Sequence, residues 1–445
     1  MRSDDTMNAE VRSLRTAAET ALSEIFASAF AGLPGDSAVA ERRRTAFDAF
    51  KSVGLPSRRV EDWKYTDLRA LMRDAKPIAG APDGVMIAAA RAALAPYAAI
   101  DATCVTFVNG RFVEELSDLA TGEGVSVTLL KDTLANGAGV EALSDGVSPA
   151  GNVAVALNAA FVADGVVVSV APGVTASRPI HVANVQAGSE HAAYGRVVAR
   201  VGEGGNVLLI ESHIGDAGAH QTNSVVTLDV ADGARVELVK IQDESLDTLH
   251  LATLAVRLGA KAELKTFALA AGARAARQQI YVSFTGDGST AEIRGAGFAG
   301  ATRHLDTTLI VDHDAVGCSS REHFKTALDG EARSVFQGKI VVKPGAQKTD
   351  GKMMAQALLL SEGAEADAKP ELEIFADDVV CGHGATVGAL DDELLFYLKS
   401  RGIPQKEAEA LMVQAFVGEV IETIEHERLR EIVTDRALAW LTART

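Results

Sequence analysis

Cys381 and His383 stand two residues apart in the segment ELEIFADDVVCGHGATVGALDDELLFYLKSRGI, Glu371 to Ile403. Thiolate and imidazole are the side chains that hold zinc, copper or iron–sulfur units. A two-residue spacing puts both on the same face of an extended strand. Glycines on either side of His383 remove side-chain cover and leave its ring open to whatever approaches. An imidazole near its ordinary pKa of about 6.5 can bind iron or move protons at cell pH. Two donors do not complete a site, because a zinc or iron–sulfur centre takes about four ligands, and no CxxC or HxxxH lies nearby. Either the pair is an ordinary turn or the missing donors come from another chain.

A second group of chemically capable residues lies in RHLDTTLIVDHDAVGCSSREHF: His304, Asp306, Asp312, His313, Asp314 and His323. Paired carboxylates beside an imidazole would suit a glycan-active lyase or hydrolase, with Asp312, His313 and Asp314 as its reacting groups. Such enzymes usually offer aromatic platforms to sugars, and this stretch has only Phe324, so a solvated loop is the expectation here. Cys318 reads as a bystander in it, and Cys104, inside TCVTFV, as a small core residue. The runs Gly286 to Ala291 and Gly295 to Gly300 spell dinucleotide loops, but strands rather than helices follow, so both are expected to be corners of a β structure. No GxxxxGK[ST] occurs. If ATP is used, another subunit is expected to bind it.

What positions Cys381 and His383 is a chain of 445 residues, enough for two or three domains. Hydrophobic residues make up 47% but aromatics only 5%, which favours regular layers of small side chains over a core of large rings. A formal net charge of −17 excludes phosphate-backbone binding as the main task. Three dispersed cysteines fit a reducing compartment without disulfides. No apolar run reaches the roughly 18 residues of a membrane span, and the start, MRSDDTMNAEV, lacks the order of a signal peptide. A soluble cytoplasmic protein with no membrane or nucleic-acid partner is the expectation.

Helical periodicity runs from about Val11 to Ala75. Trp63 and Tyr65 in PSRRVEDWKYTDL are expected to anchor that region to the next layer. From about Gly151, alternating runs such as GNVLLIESHIG, ARVELVKIQD and RQQIYVSFTGDG are cut by glycine corners at 173, 204, 233, 259, 288, 330 and 363, spaced 31, 29, 26, 29, 42 and 33 residues apart. Strand-plus-turn units of that period, without intervening helices, indicate a stacked parallel β-helix. A Greek-key sandwich stays open as the alternative. The expected organisation is therefore mainly β: an N-terminal helical region with some strands (1–150), a β-helix core (151–387) and a helical tail (388–445). In the tail, Leu394, Leu395 and Leu398 share a stripe, Pro404 opens the next helix, and Leu411, Met412, Ala415, Phe416 and Val420 recur at helical spacing.

The segment Lys339 to Pro404, with PSRRVEDWKYTDL at Pro56 to Leu68, closely resembles the SufD family, scaffold subunits of the bacterial Suf iron–sulfur assembly machinery. HGAT after Cys381 matches that family rather than its SufB paralogues, which read HEAT. One departure is MMAQALLLS, Met353 to Ser361, where the family often carries an asparagine. The resemblance implies a right-handed parallel β-helix between two helical regions and no catalytic residue or nucleotide site in this chain. It implies a heterodimer with a SufB-like paralogue and a SufC-like ABC ATPase docked on the C-terminal helices, here Leu394, Leu395, Phe396, Tyr397, Leu398 and Arg401. It also implies that His383, with Cys381 as the adjacent candidate, faces the paralogue and shares a transient iron–sulfur cluster or iron with it. Reduced flavin is associated with the assembled complex, but no motif marks a flavin site here. The flat faces of a solenoid make a homodimer plausible for the chain alone.

Overall fold

The structure is a computed structural model that describes residues 15–443, apart from 138, 145, 189, 216 and 217. Its strands form one ten-stranded and one nine-stranded sheet, and from Val166 onward successive strands alternate between them. Leu249–Leu258 pairs in parallel with Ala275–Phe284, that strand with His304–His313, and the series continues through Arg333–Val342 to Glu365–Ile374. The other sheet repeats the scheme from Ile180–Val185 to Val380–Gly388. This is a parallel β-solenoid of about eight coils. The Greek-key alternative fails, because among the described residues antiparallel strand pairing occurs only at the N-terminal end, where Thr103–Val108 meets Arg111–Phe112 and Val125–Leu129 meets Val166–Val170.

Period-two alternation explains the interior. Val197, Val226, Leu254, Ile280 and Leu309 stack as one inward column across five coils, opposite Val207, Val236 and Leu264. Each coil can bury its inner face only against its neighbours, which is why the repeat persists. The outer faces are covered by helices. Ala17–Ala29, Ser37–Val53 and Val153–Phe161 pack over Val198, Leu249, Leu251 and Ala275. Gln405–Ile421 and Glu427–Ala443 cover Ile210, Val239, Phe267 and Phe298 on the other sheet. Thr103–Val108, inside the first 150 residues, already pairs in parallel with Ile180–Val185, so the solenoid's sheet begins there.

The corners differ from the expected glycine series. One corner stacks Gly173, Gly204, Gly233, Lys261, Gly288, Gly317 and Lys348, all at positive φ, and the N–H groups of Gly204 and Gly233 donate to Asp232 and Ala260 of the next coil. Gly330 belongs to the opposite corner, with Ala301. The 42-residue interval therefore stepped from one corner to the other. Gly295 and Gly297 are not corners at all. They lie within the strand Thr290–Ala299, where a Cβ on Gly295 would stand 2.6 Å from Phe324.

The segment around Trp63 docks as expected. Trp63 is buried, the Arg277 guanidinium lies 4.0 Å over its ring, and Arg277 forms a buried ion pair with Asp306, which also accepts from the Thr66 hydroxyl.

Candidate functional site: the open end of the solenoid

Cys381 and His383 sit on Val380–Gly388, the last strand of the ten-stranded sheet. Among the described residues it pairs on one side only, with Asp350–Leu359, placing Cys381 beside Gly351 and His383 beside Met353. Register assigns both to inward columns: Ala291, Ser320, Gly351, Cys381 and Ile293, Glu322, Met353, His383. Because no coil follows, an inward position here opens outward. His383 is exposed while Cys381 is half-buried against the end of the core. The two-residue spacing thus puts both donors on one face of an edge strand.

An open groove of about 590 Å³ runs past Cys381 and His383 and is also lined by Glu322, Met353, Arg294 and Arg321. Burial is the main cause raising the Cys381 thiol above its usual range, and the charges of Asp350 and Glu322 add to it, so the thiol is held protonated until a cation or base arrives. Glu322 was not singled out from sequence. It is 1% exposed, neither carboxylate oxygen finds a hydrogen-bond partner among the described residues, and burial pushes its pKa to about 8. The available signal was its place between Ser320 and Phe324 in an alternating strand, an inward position where an acid is out of pattern.

The His304 to His323 group is not a solvated loop. All its members but Asp314, which follows the first strand and is exposed, lie on the consecutive strands His304–His313 and Ser319–Leu328. His313 is buried facing inward beside Phe284, while Asp306, of opposite parity, faces outward and is buried beneath the Trp63 segment. Asp312 pairs with Lys343 at 3.5 Å, and His313 stacks on Phe284 at 4.4 Å. Asp312, His313 and Asp314 therefore do not converge on a common space. Cys318 is a buried core residue, whereas Cys104 is half-buried beside Thr106 at 3.5 Å.

The helix Asp392–Ser400 buries none of its residues. Leu394, Phe396 and Tyr397 are exposed, the last two at 73% and 52%, and Leu395 and Leu398 are half-buried. Arg401 follows the helix with its guanidinium 5.0 Å over the Tyr397 ring. In Gln405–Ile421 the buried face is Ala408, Val413, Val417, Val420 and Ile421. Leu411 and Ala415 of the expected stripe are exposed instead.

A family model described as the SufBD core domain of the SUF iron–sulfur assembly system matches residues 183–416, and one for the SufBD N-terminal region matches 17–182. The chain belongs to the SufBD family. The iron–sulfur cluster assembly protein SufD of Escherichia coli is 33% identical over 86% of this chain and 88% of its own length. SufBD family proteins of Mycobacterium leprae and Synechocystis are 31% and 29% identical, over 86% and 91% of this chain and 89% and 92% of theirs. The match extends across both sheets and the start of the helical tail. No described helix is long and apolar enough to cross a membrane.

Proposed function

We propose that this chain is a SufD-type scaffold subunit for iron–sulfur cluster assembly, paired with a SufB-like paralogue through the open end of its solenoid and moved by a SufC-like ATPase docked on its C-terminal helices. The carrying observation is that Cys381 and His383 share the exposed face of an edge strand that pairs on one side only. A strand edge with open N–H and C=O groups is a template for another chain, and two soft donors there are half of a ligand set. Iron or a nascent cluster is cargo at this seam. His383 supplies an imidazole nitrogen, and Cys381 supplies a thiolate once its proton is displaced by the incoming cation.

The tail supports the coupling. Phe396, Tyr397 and Leu394 offer an apolar face that the described residues leave uncovered. The following helix, Gln405–Ile421, packs on the strands Thr290–Ala299 and Ser319–Leu328, with Glu419 paired to Lys325. Those strands belong to the sheet that ends in Val380–Gly388. In this reading the chain hydrolyses no ATP itself. A force on the tail reaches the seam through one hydrogen-bonded sheet.

The test is co-expression with SufB-like and SufC-like subunits, anaerobic reconstitution, and iron and sulfide analysis of the purified complex. His383→Ala should leave the complex assembled, since an exposed side chain contributes little packing, while cluster content falls at least tenfold. Cluster formation at the unaltered level in that variant would end the proposal for His383. Cys381→Ser should give a smaller loss. The glycan-active reading gains nothing from the geometry, because Asp312, His313 and Asp314 do not share a site.

A further inference from the structure

Midway along the solenoid the inward columns stop being apolar. Glu211 and His213 from Asn206–Ile214, Lys240 and Gln242 from Arg235–Asp243, Glu244 just beyond it, and His250 from Leu249–Leu258 all turn inward and are buried. One ligand atom from each of His213, Glu244 and His250 lies within 4.8 Å of the others. The two rings meet edge to face with centroids 4.8 Å apart.

The surrounding hydrogen bonds fix what these groups present to one another. His213 Nε2 lies 2.8 Å from Glu211 Oε1, and a carboxylate can only accept, so that nitrogen carries the proton. In the neutral ring the lone pair is then on His213 Nδ1, which makes no hydrogen bond among the described residues although the His213 side chain is 1% exposed. In His250, Nε2 accepts from Lys240 Nζ at 3.1 Å, because an ammonium can only donate, so Nδ1 carries the ring proton and faces Glu244 Oε2 at 2.7 Å. A cation bound at Nδ1 would take the place of that proton. The Thr222 hydroxyl donates to Glu244 Oε1 at 2.6 Å, and the Gln242 amide to Oε2 at 3.0 Å. Two carboxylates, Glu211 and Glu244, thus face one ammonium, Lys240, inside the protein. A buried charge left without compensation is costly.

We infer that His213, Glu244 and His250 form an internal binding site for a divalent first-row transition metal, with Glu211 as the positioning residue that holds the His213 ring. Two imidazole nitrogens and one carboxylate oxygen suit zinc, iron(II) or cobalt(II) better than the oxygen-preferring magnesium or calcium. A carboxylate behind a ligating histidine is the usual outer support of such sites. The cation supplies the missing positive charge and gives His213 Nδ1 its partner. The site is separate from Cys381 and His383, which lie on the last coil, and it does not depend on the assembly role of that end. The surrounding sheets enclose it, so the metal enters as the coils close.

The test uses the full chain carrying Cys381→Ser and His383→Ala, so that the open end contributes no soft ligands, expressed in minimal medium supplemented with cobalt(II). The expected result is about one cobalt per purified chain, a visible absorption band of nitrogen- and oxygen-ligated cobalt(II), and an unfolding temperature above that of chain grown without metal. His213→Gln and Glu244→Gln, which keep size and hydrogen-bonding capacity, should each reduce bound cobalt at least tenfold while the β-rich circular dichroism is unchanged. Glu211→Gln should shift the absorption band and lower occupancy less. Folded chain without cobalt, or with cobalt that persists in the His213→Gln, Glu244→Gln double variant, overturns the site. Should those variants not fold, nitrogen-15 NMR of the imidazoles in zinc-supplemented otherwise unaltered chain decides: a metal-bound Nδ1 signal supports the site, and a doubly protonated imidazolium shows that a proton supplies the charge and overturns it.

Discussion

The solenoid is wrapped along most of its length and bare at its last coil, although both regions use the same strands, register and corner geometry. Toward the N-terminus the sheet edges are closed by Arg111–Phe112 and by antiparallel Val125–Leu129, and helices cover both outer faces. At the other end Glu365–Ile374 and Val380–Gly388 are both edge strands and contain no buried residue. Ile374, Phe375, Val380 and Val387 are exposed there, Val380 at 63%. A repeat fold needs a cap on its terminal unit, and natural proteins protect long edges with charge, proline or cover. Glu365–Ile374 has it in Pro370 and five charged side chains, whereas Val380–Gly388 has neither proline nor an acidic, lysine or arginine side chain. The difference between the ends is the physical content of the claim that a second chain belongs on one of them.

The strongest way to break the contrast is to unclamp the wrapped region. Asp306→Ala leaves the Arg277 guanidinium, 2% exposed in its side chain, without its counter-charge beneath Trp63. Removing one member of a buried pair costs about 3–5 kcal/mol. Urea denaturation should show a loss of that size, and a loss below about 1 kcal/mol would mean that the Trp63 segment does not clamp the sheet. Next comes Glu322, between the two regions. Its carboxyl has an ordinary value near 4.5 when unfolded and is held at about 8 by burial in the folded chain. Below pH 4.5 both states are protonated and the fold has its full stability. Between 4.5 and 8 only the folded state keeps the proton, so this group erodes stability by about 1.4 kcal/mol per pH unit. Glu322→Gln should remove that slope, with the variant more stable than the unaltered chain at pH 8 and little changed at pH 4.5. Parallel pH profiles for the two proteins would show that the acid is paired or wet.

The repeat was legible because alternation is strict: Val226, Leu228 and Val230 or Leu254, Val256 and Leu258 can be only one face of stacked strands. Corner bookkeeping was less so. Lys261 and Lys348 hold positive φ where neighbouring coils use glycine, since the inter-coil ladder imposes the turn whatever residue fills it. Cys381 and His383 stood out by type and spacing. The openness of His383 followed from its flanking glycines, but the place of both residues on an edge strand did not, because it depends on no further coil following Gly388. The polar interior was the least visible feature. His213 and Glu244 lie 31 positions apart, and only the superposition of coils brings them together. His304 to His313 failed in the opposite sense: residues clustered in sequence were sent to opposite faces by the same alternation.

The smallest effect on stability should come from the bare end, where the proposed pairing with a second chain would respond most. Val380→Lys and Val387→Lys place charges on the exposed edge strand without removing a buried contact. Substitutions of this kind usually change stability by no more than about 0.5 kcal/mol. A lysine facing another strand across a new interface must instead be desolvated or turned aside, which is how natural edges avoid pairing. The double variant should therefore unfold at the same urea concentration as the unaltered chain yet fail to form a heterodimer with a SufB-like subunit in sedimentation velocity, and any self-association of the isolated chain should disappear with it. If stability falls by several kcal/mol, the edge is packed by its own chain and the end is closed. If stability and pairing both persist, the partner binds elsewhere, and Cys381 and His383 lose the seam that would complete them.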